Sequence, residues 1–298
     1  MKKKLLLLSA IFAAFLLNVA GANAQAPKAV SDSGLLYEIT GKNLKKPSYL
    51  FGTIHLICQK DMIPAEKLQS YVDKTGQLML EINLNDQAEM LKAAQGMTLA
   101  GGKSTKDYLK PEEYAKLDEV FKNYLGVSYD RFQTFKPLMA TTVLLMSPKG
   151  IGCQAVPGYD KVLADAATAN KMPIIGLETV DAQFAAVDAQ PLAAQIEALN
   201  KLAADPEKSF ADFKKLYQIY LAQNSDELYD LTAAQFKADG TPQDKLLDER
   251  NTNWIPIIEK NIAVTPSFIA VGGGHLGGAK GVINQLRERG YKVTPIKL

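Results

Sequence analysis

The chain has 298 residues, with 34 Lys and Arg against 32 Asp and Glu. Three of those lysines stand in the first four positions, so the rest of the chain carries 31 basic against 32 acidic groups. That near-neutral balance argues against nucleic acid or an anionic membrane surface as partner, and the length suits one large domain or two interlocked halves.

Lys2, Lys3 and Lys4 precede an apolar run over 5–17, and Ala22-Asn23-Ala24 makes a small-x-small pattern before Gln25. This is the pattern of a secretory signal peptide over 1–24, cleaved near Ala24-Gln25; the run is too short to span a membrane. No cysteine follows it to carry a lipid, and no later stretch is apolar enough to cross a bilayer. The expectation is a secreted or periplasmic protein with a single domain over 25–298. The two cysteines, Cys58 and Cys153, fit that setting as a disulfide. The competing reading takes Cys58, three residues after His55, as a soft metal ligand; the disulfide is favoured because exported thiols rarely stay free.

Hydrophobic alternation and short apolar runs predict strands over 35–40, 48–54, 77–83, 173–178 and 291–296, with another from 266. Helical spacing covers 64–74, 87–95, 111–124, 131–146 and a segment from Gly158 to Asn170. Pro111, the acids Glu112 and Glu113, and Gly126 past the end mark the third of these helices. Almost everything over 179–261 reads helical, with breaks near Pro191, Asp205-Pro206, Asn224 and Gly240-Thr241-Pro242. Its amphipathic stretch over 199–223 suggests a helical cap, drawn at about 180–262. A helix over 278–289 precedes the last strand. Helices between strands give an α/β fold with a central sheet and helices packed on its faces.

One pattern occurs twice. Pro47-Ser48-Tyr49-Leu50-Phe51-Gly52-Thr53-Ile54-His55-Leu56 is echoed 219 residues on by Pro266-Ser267-Phe268-Ile269-Ala270-Val271-Gly272-Gly273-Gly274-His275-Leu276. Each is a short apolar strand running into Gly-x-x-His-Leu, and together they hold both histidines of the chain. A single histidine on an apolar strand usually packs in the core or at its rim; a matched pair points to two halves that build one site. The glycines from 272 to 278 form a permissive loop into a helix, able to offer backbone N–H groups to an anion, yet they match neither a Walker loop nor the dinucleotide fingerprint.

Glu81 and Glu178 are single carboxylates in otherwise apolar strands. Either each emerges into solvent, or both face the histidines as ligands or acid/base groups. Two imidazoles with one or two carboxylates make an ordinary divalent-metal sphere for Zn, Mn, Co or Fe, which with an open position activates water for hydrolysis. Arg250, in Glu249-Arg250-Asn251, lies on a solvated helix face or clamps a carboxylate or substrate carbonyl. Asp160 reads as capping or charging a helix start, and Trp254 as packing.

In this order, Tyr49-Leu50-Phe51-Gly52-Thr53-Ile54-His55, Leu80-Glu81, Gly158-Tyr159-Asp160, Gly176-Leu177-Glu178-Thr179 with Gln183, Glu249-Arg250-Asn251, and Val271-Gly272-Gly273-Gly274-His275-Leu276 with Gly290-Tyr291 and Val293 span nearly the whole chain. The set resembles the TraB/PrgY/GumN family, which includes the animal TIKI proteases, within the erythromycin-esterase-like and ChaN-like fold group. The resemblance implies an α/β fold of two pseudo-repeated halves and a divalent-metal-dependent hydrolase acting on peptides or another small molecule, with manganese, cobalt or zinc as the ion. Carried over, His55 and His275 become metal ligands or catalytic imidazoles, Glu81 a third metal ligand, Glu178 a base and Arg250 a substrate or oxyanion clamp. The alternatives are a non-enzymatic protein that binds a metal, haem or a small peptide signal, and a structural role at the cell envelope.

Overall fold

The computed structural model describes residues 33–238 and 242–298; the signal peptide expected over 1–24 and most of the break expected at 240–242 lie outside the described residues. In chain order the strands are β1 (Leu36–Gly41), β2 (Ser48–Thr53), β3 (Leu56–Cys58), β4 (Gln77–Leu80), β5 (Ala155–Pro157), β6 (Ile174–Gly176), β7 (Ser267–Gly272) and β8 (Tyr291–Ile296). Six of them form one sheet in the order β6-β4-β7-β2-β1-β8, while β3 and β5 pair as a separate ribbon. Strands β6, β4, β7 and β2 run parallel, and β1 lies antiparallel between β2 and β8. Every residue of β2 and β4 is buried, as their continuous apolar runs require of parallel strands covered on both faces.

The two motif strands lie side by side. Tyr49 faces Phe268, Leu50 faces Ile269 and Thr53 faces Gly272 across the β2–β7 ladder, so the pairing register keeps the 219-residue offset seen in the sequence. Strands predicted over 77–83 and 173–178 stop at Leu80 and Gly176. The chains stay joined beyond that point, with the Leu177 and Glu178 amides donating to the Leu80 and Glu81 carbonyls at 2.8 and 2.9 Å. Glu81 and Glu178 are therefore neighbours just past the same edge of the sheet.

The helices are α1 (Ala65–Val72), α2 (Gln87–Gly96), α3 (Pro111–Leu125), α4 (Pro137–Leu145), α5 (Pro148–Ile151), α6 (Tyr159–Ala169), α7 (Val180–Asp188), α8 (Leu192–Ala204), α9 (Pro206–Leu221), α10 (Ser225–Ala238), α11 (Glu249–Ile262) and α12 (Val282–Glu288). The helix predicted over 131–146 begins only at Pro137, because a residue with no N–H suits the first turn and not a helix interior. Helix α1 packs on β7, α6 on β4, and α12 on β8. A second helical layer covers the strand ends: α8 packs on α3 and α4, α9 on α10, and α10 on the turn Gly273–His275. This cap joins the helices expected over 180–262 to α3 and α4 from earlier in the chain. None of the described helices is long and apolar enough to cross a membrane.

Glycines 277 and 278 serve that packing. A Cβ on Gly277 would stand 2.5 Å from the Ser225 carbonyl, and one on Gly278, whose φ is +79°, would enter the Tyr229 ring at 2.2 Å. The permissive loop is the clearance that lets α10 lie on the second histidine motif.

Cys58 and Cys153 are joined, which removes Cys58 from any metal-ligand role. The bridge closes the open end of the β3–β5 ribbon, where Cys58 faces Ala155. It spans 95 residues, a loop worth about 4–5 kcal/mol in the chain-entropy account. The Cys58→Ser/Cys153→Ser double variant is expected to lose up to that amount in a denaturant titration. A double variant with unaltered unfolding midpoint would show the bridge to be dispensable.

Candidate functional site

Ligands of open α/β sheets bind beyond the carboxyl ends of the parallel strands. Here those ends deliver His55 after β2, Glu81 after β4, Glu178 after β6 and His275 after β7. The sheet thus brings together four of the five residues singled out in the sequence, and α11 supplies the fifth, Arg250. Both glutamates are buried to within 7% of full side-chain exclusion, so neither emerges into solvent, and Arg250 is 6% exposed rather than on a solvated helix face.

Arg250 is the centre of the cluster. Its Nη2 donates to Glu81 Oε2 at 2.7 Å and to Glu178 Oε1 at 2.6 Å; Nε reaches both Glu178 oxygens at 3.1 Å. Nη1 donates to the Leu246 carbonyl at 3.0 Å and to His275 Nε2 at 3.1 Å. A guanidinium has five N–H groups in a planar fork, and these acceptors engage all five. Gln183 Nε2 donates to Glu81 and Glu178, the Gly272 amide to Glu81 Oε1 at 2.7 Å, and Trp254 Nε1 to Glu178 Oε2 at 3.2 Å. Trp254 therefore does more than pack: its ring lies 4.6 Å from the His275 ring and 4.9 Å from the guanidinium carbon. Burial raises the Glu178 pKa against the pull of Arg250, and the Arg250 charge is favoured because the two glutamates outweigh the cost of its burial.

His275 is held neutral. Asn251 Nδ2 donates to the Lys280 carbonyl at 3.0 Å, which turns Asn251 Oδ1 toward His275 Nδ1 at 2.6 Å. His275 thus carries its proton on Nδ1 and presents the Nε2 lone pair to Arg250. Burial first, then the Arg250 charge, pushes its pKa well below the usual histidine value.

His55 is held differently. Its Nδ1 lies 2.9 Å from Asp160 Oδ2, and Thr53 Oγ1 donates to Asp160 Oδ1 at 2.8 Å. Burial opposes a charge on His55, yet Asp160 outweighs it and leaves the pKa raised; the same pairing depresses Asp160 despite its own burial. Asp160 sits in the first turn of α6, so the sequence reading of a helix-start acid was right about place and missed the partner. Local geometry brings the two together: β3 follows His55, β5 leads to Gly158, and the Gly158 amide donates to the His55 carbonyl at 2.7 Å. A Cβ at Gly158 would lie 1.7 Å from the Ile54 carbonyl oxygen, so only glycine permits this approach.

His55, Glu81, Arg250 and His275 floor a cavity of about 130 Å³ whose walls come from the cap. The histidines are chemically distinct: one is coupled to a carboxylate, the other is held neutral inside an ion cluster.

The donor set of two imidazoles and two carboxylates has divalent-metal chemistry, but its atoms are arranged around a guanidinium. Glu81, Glu178 and His275 Nε2 all point at Arg250, and among the described residues no group of three or more His, Cys, Asp or Glu side chains converges to hold a metal. As arranged, the residues do not fit an ion at Glu81 and His275 while Arg250 keeps its place.

A four-stranded parallel core, paired histidine motifs at adjacent strand ends and a buried Glu–Arg–Glu cluster define an α/β protein whose site lies between sheet and helical cap. The chain belongs to the TraB/PrgY/gumN family, a model of which matches residues 35–295. No curated protein and no solved structure matched the chain.

Proposed function

We propose that this chain is an exported hydrolase that opens an ester or peptide bond, with His55 as its proton-transfer group. The observation that carries this reading is the His55–Asp160 hydrogen bond at the floor of the cavity. Asp160 orients the ring through Nδ1, so that proton transfer runs through Nε2. The oxygen of a water attacks the carbonyl carbon while His55 Nε2 takes its proton. The bond to the leaving oxygen or nitrogen then breaks, and that proton passes to the leaving group. Arg250 has no N–H left for a substrate oxygen, so in this reading it supports the site by fixing His275, Glu81 and Glu178 in place. Glu178, hydrogen-bonded by three side chains, belongs to that support. The disulfide fits an oxidising compartment.

A second reading keeps divalent-metal dependence. It is favoured by the convergence of two imidazoles and two carboxylates on one sheet edge, and it requires Arg250 to swing out. The two are separated by assaying ester and peptide panels before and after EDTA. Turnover that survives chelation and disappears in His55→Ala supports the first reading. Turnover lost to EDTA and restored by Mn²⁺ or Co²⁺ supports the second. No turnover of any ester or peptide would overturn both in favour of a binding protein.

A further inference from the structure

The walls of the cavity differ in chemistry from its floor. Above His55 and His275 stand Phe213 and Leu216 of α9, Leu228 and Phe236 of α10, and Leu246 and Leu247 of the π-helical turn that leads into α11. Each is less than 9% exposed. The polar side chains lining the cavity with them are mostly committed: Thr232 Oγ1 donates to the Leu228 carbonyl of its own helix, and Gln183 to the two glutamates. A charged substituent in this chamber would shed its hydration with only satisfied groups around it, whereas an apolar one gains from burial. The volume, about 130 Å³, is close to that of an apolar protein cavity that takes benzene, ~150 Å³. The π-turn ties the chamber to the charged floor, because the Leu246 carbonyl accepts from Arg250 while its side chain lines the wall.

We propose that this chamber is a specificity pocket for one uncharged apolar group of about phenyl or butyl size, carried by the substrate next to the bond that is cut. The recognition rests on the wall residues alone; the placement beside a scissile bond rests on the hydrolase reading above.

The test has a binding arm and a turnover arm. Benzyl alcohol and benzylamine are titrated into the folded protein by calorimetry, and into a Thr232→Leu variant that fills the chamber and a Leu247→Ala variant that enlarges it, each checked by thermal melting. Benzyl alcohol should bind at least tenfold tighter than benzylamine and lose at least tenfold in Thr232→Leu. Equal or tighter binding of benzylamine, or benzyl alcohol binding unmoved in both variants, overturns the pocket. In the turnover arm, p-nitrophenyl butyrate should exceed the acetate in kcat/KM by roughly tenfold or more, the scale on which apolar pockets discriminate added methylenes, and Leu247→Ala should shift the preference to longer chains. Equal turnover of all chain lengths overturns the pocket and leaves the hydrolase standing. Selective benzyl alcohol binding with no turnover of any ester or peptide supports the pocket and sinks the hydrolase.

Discussion

Arg250→Met is expected to destabilise the protein by about 3–5 kcal/mol, the range for removing one partner of a buried ion pair. The loss comes less from the missing bonds than from what stays behind: Glu81 and Glu178, both buried and now without their shared cation. The sign of the pH dependence identifies this cause. With no cation beside it, Glu178, whose carboxyl burial already raises, takes a folded pKa further above its unfolded one. Its contribution to the variant is fully present only at pH below the unfolded carboxylate range, and it is lost as pH rises through the folded value. The variant should therefore be closest to wild type in acid and furthest from it near neutrality. Adding Glu81→Gln and Glu178→Gln should recover much of the loss. Arg250→Lys should recover little, since an ammonium cannot serve five acceptors in one plane. A denaturant series at several pH values reads all of this. A pH-independent deficit would mean that Arg250 acts by packing alone.

Asp160→Asn is expected to lower kcat/KM by about 10²–10⁴-fold, the usual worth of a positioned acid/base group. The carboxylate leaves, but the amide still fits against Thr53. The pH profile separates this from a merely structural effect. His55 has a raised pKa because Asp160 outweighs burial, so as a base it becomes active only as pH climbs through a value above the ordinary 6.5. Without the carboxylate, the inflection should move down while the plateau falls. The linked stability term has the opposite course. A raised folded pKa stabilises fully below 6.5 and loses that contribution as pH passes the folded value, and this trend should vanish in Asp160→Asn. Identical pH profiles in the two proteins would remove Asp160 from any role in proton transfer.

Much of this site could be read from the chain, for local reasons. Apolar runs with matched Gly-x-x-His endings identify strands and the histidines they carry, and single acids at 81 and 178 stand out because apolar strands tolerate few charges. Arg250 was legible only as one of two alternatives, a solvated helix face or a clamp, because helical spacing does not say what stands opposite. Asp160, Asn251 and Gln183 lay inside quoted blocks, yet no local pattern ties a first-turn aspartate to a histidine 105 residues away. Nor does spacing reveal that Trp254, one turn along from Arg250, donates to Glu178.

Two things were determined by the sequence itself: an α/β chain and two related strand motifs. Periodicity and repetition are properties of the chain and need no neighbour, whereas the disulfide was only favoured over a Cys58 metal ligand until the structure joined the two thiols. The roles within the site were decided only in three dimensions. Hydrogen-bond direction and desolvation depend on which group stands opposite, and the parallel pairing of β2 and β7 sets that. It places the two histidines at neighbouring strand ends, gives one to Asp160 and the other to Arg250 and Asn251, and makes two residues of one type into different chemical groups.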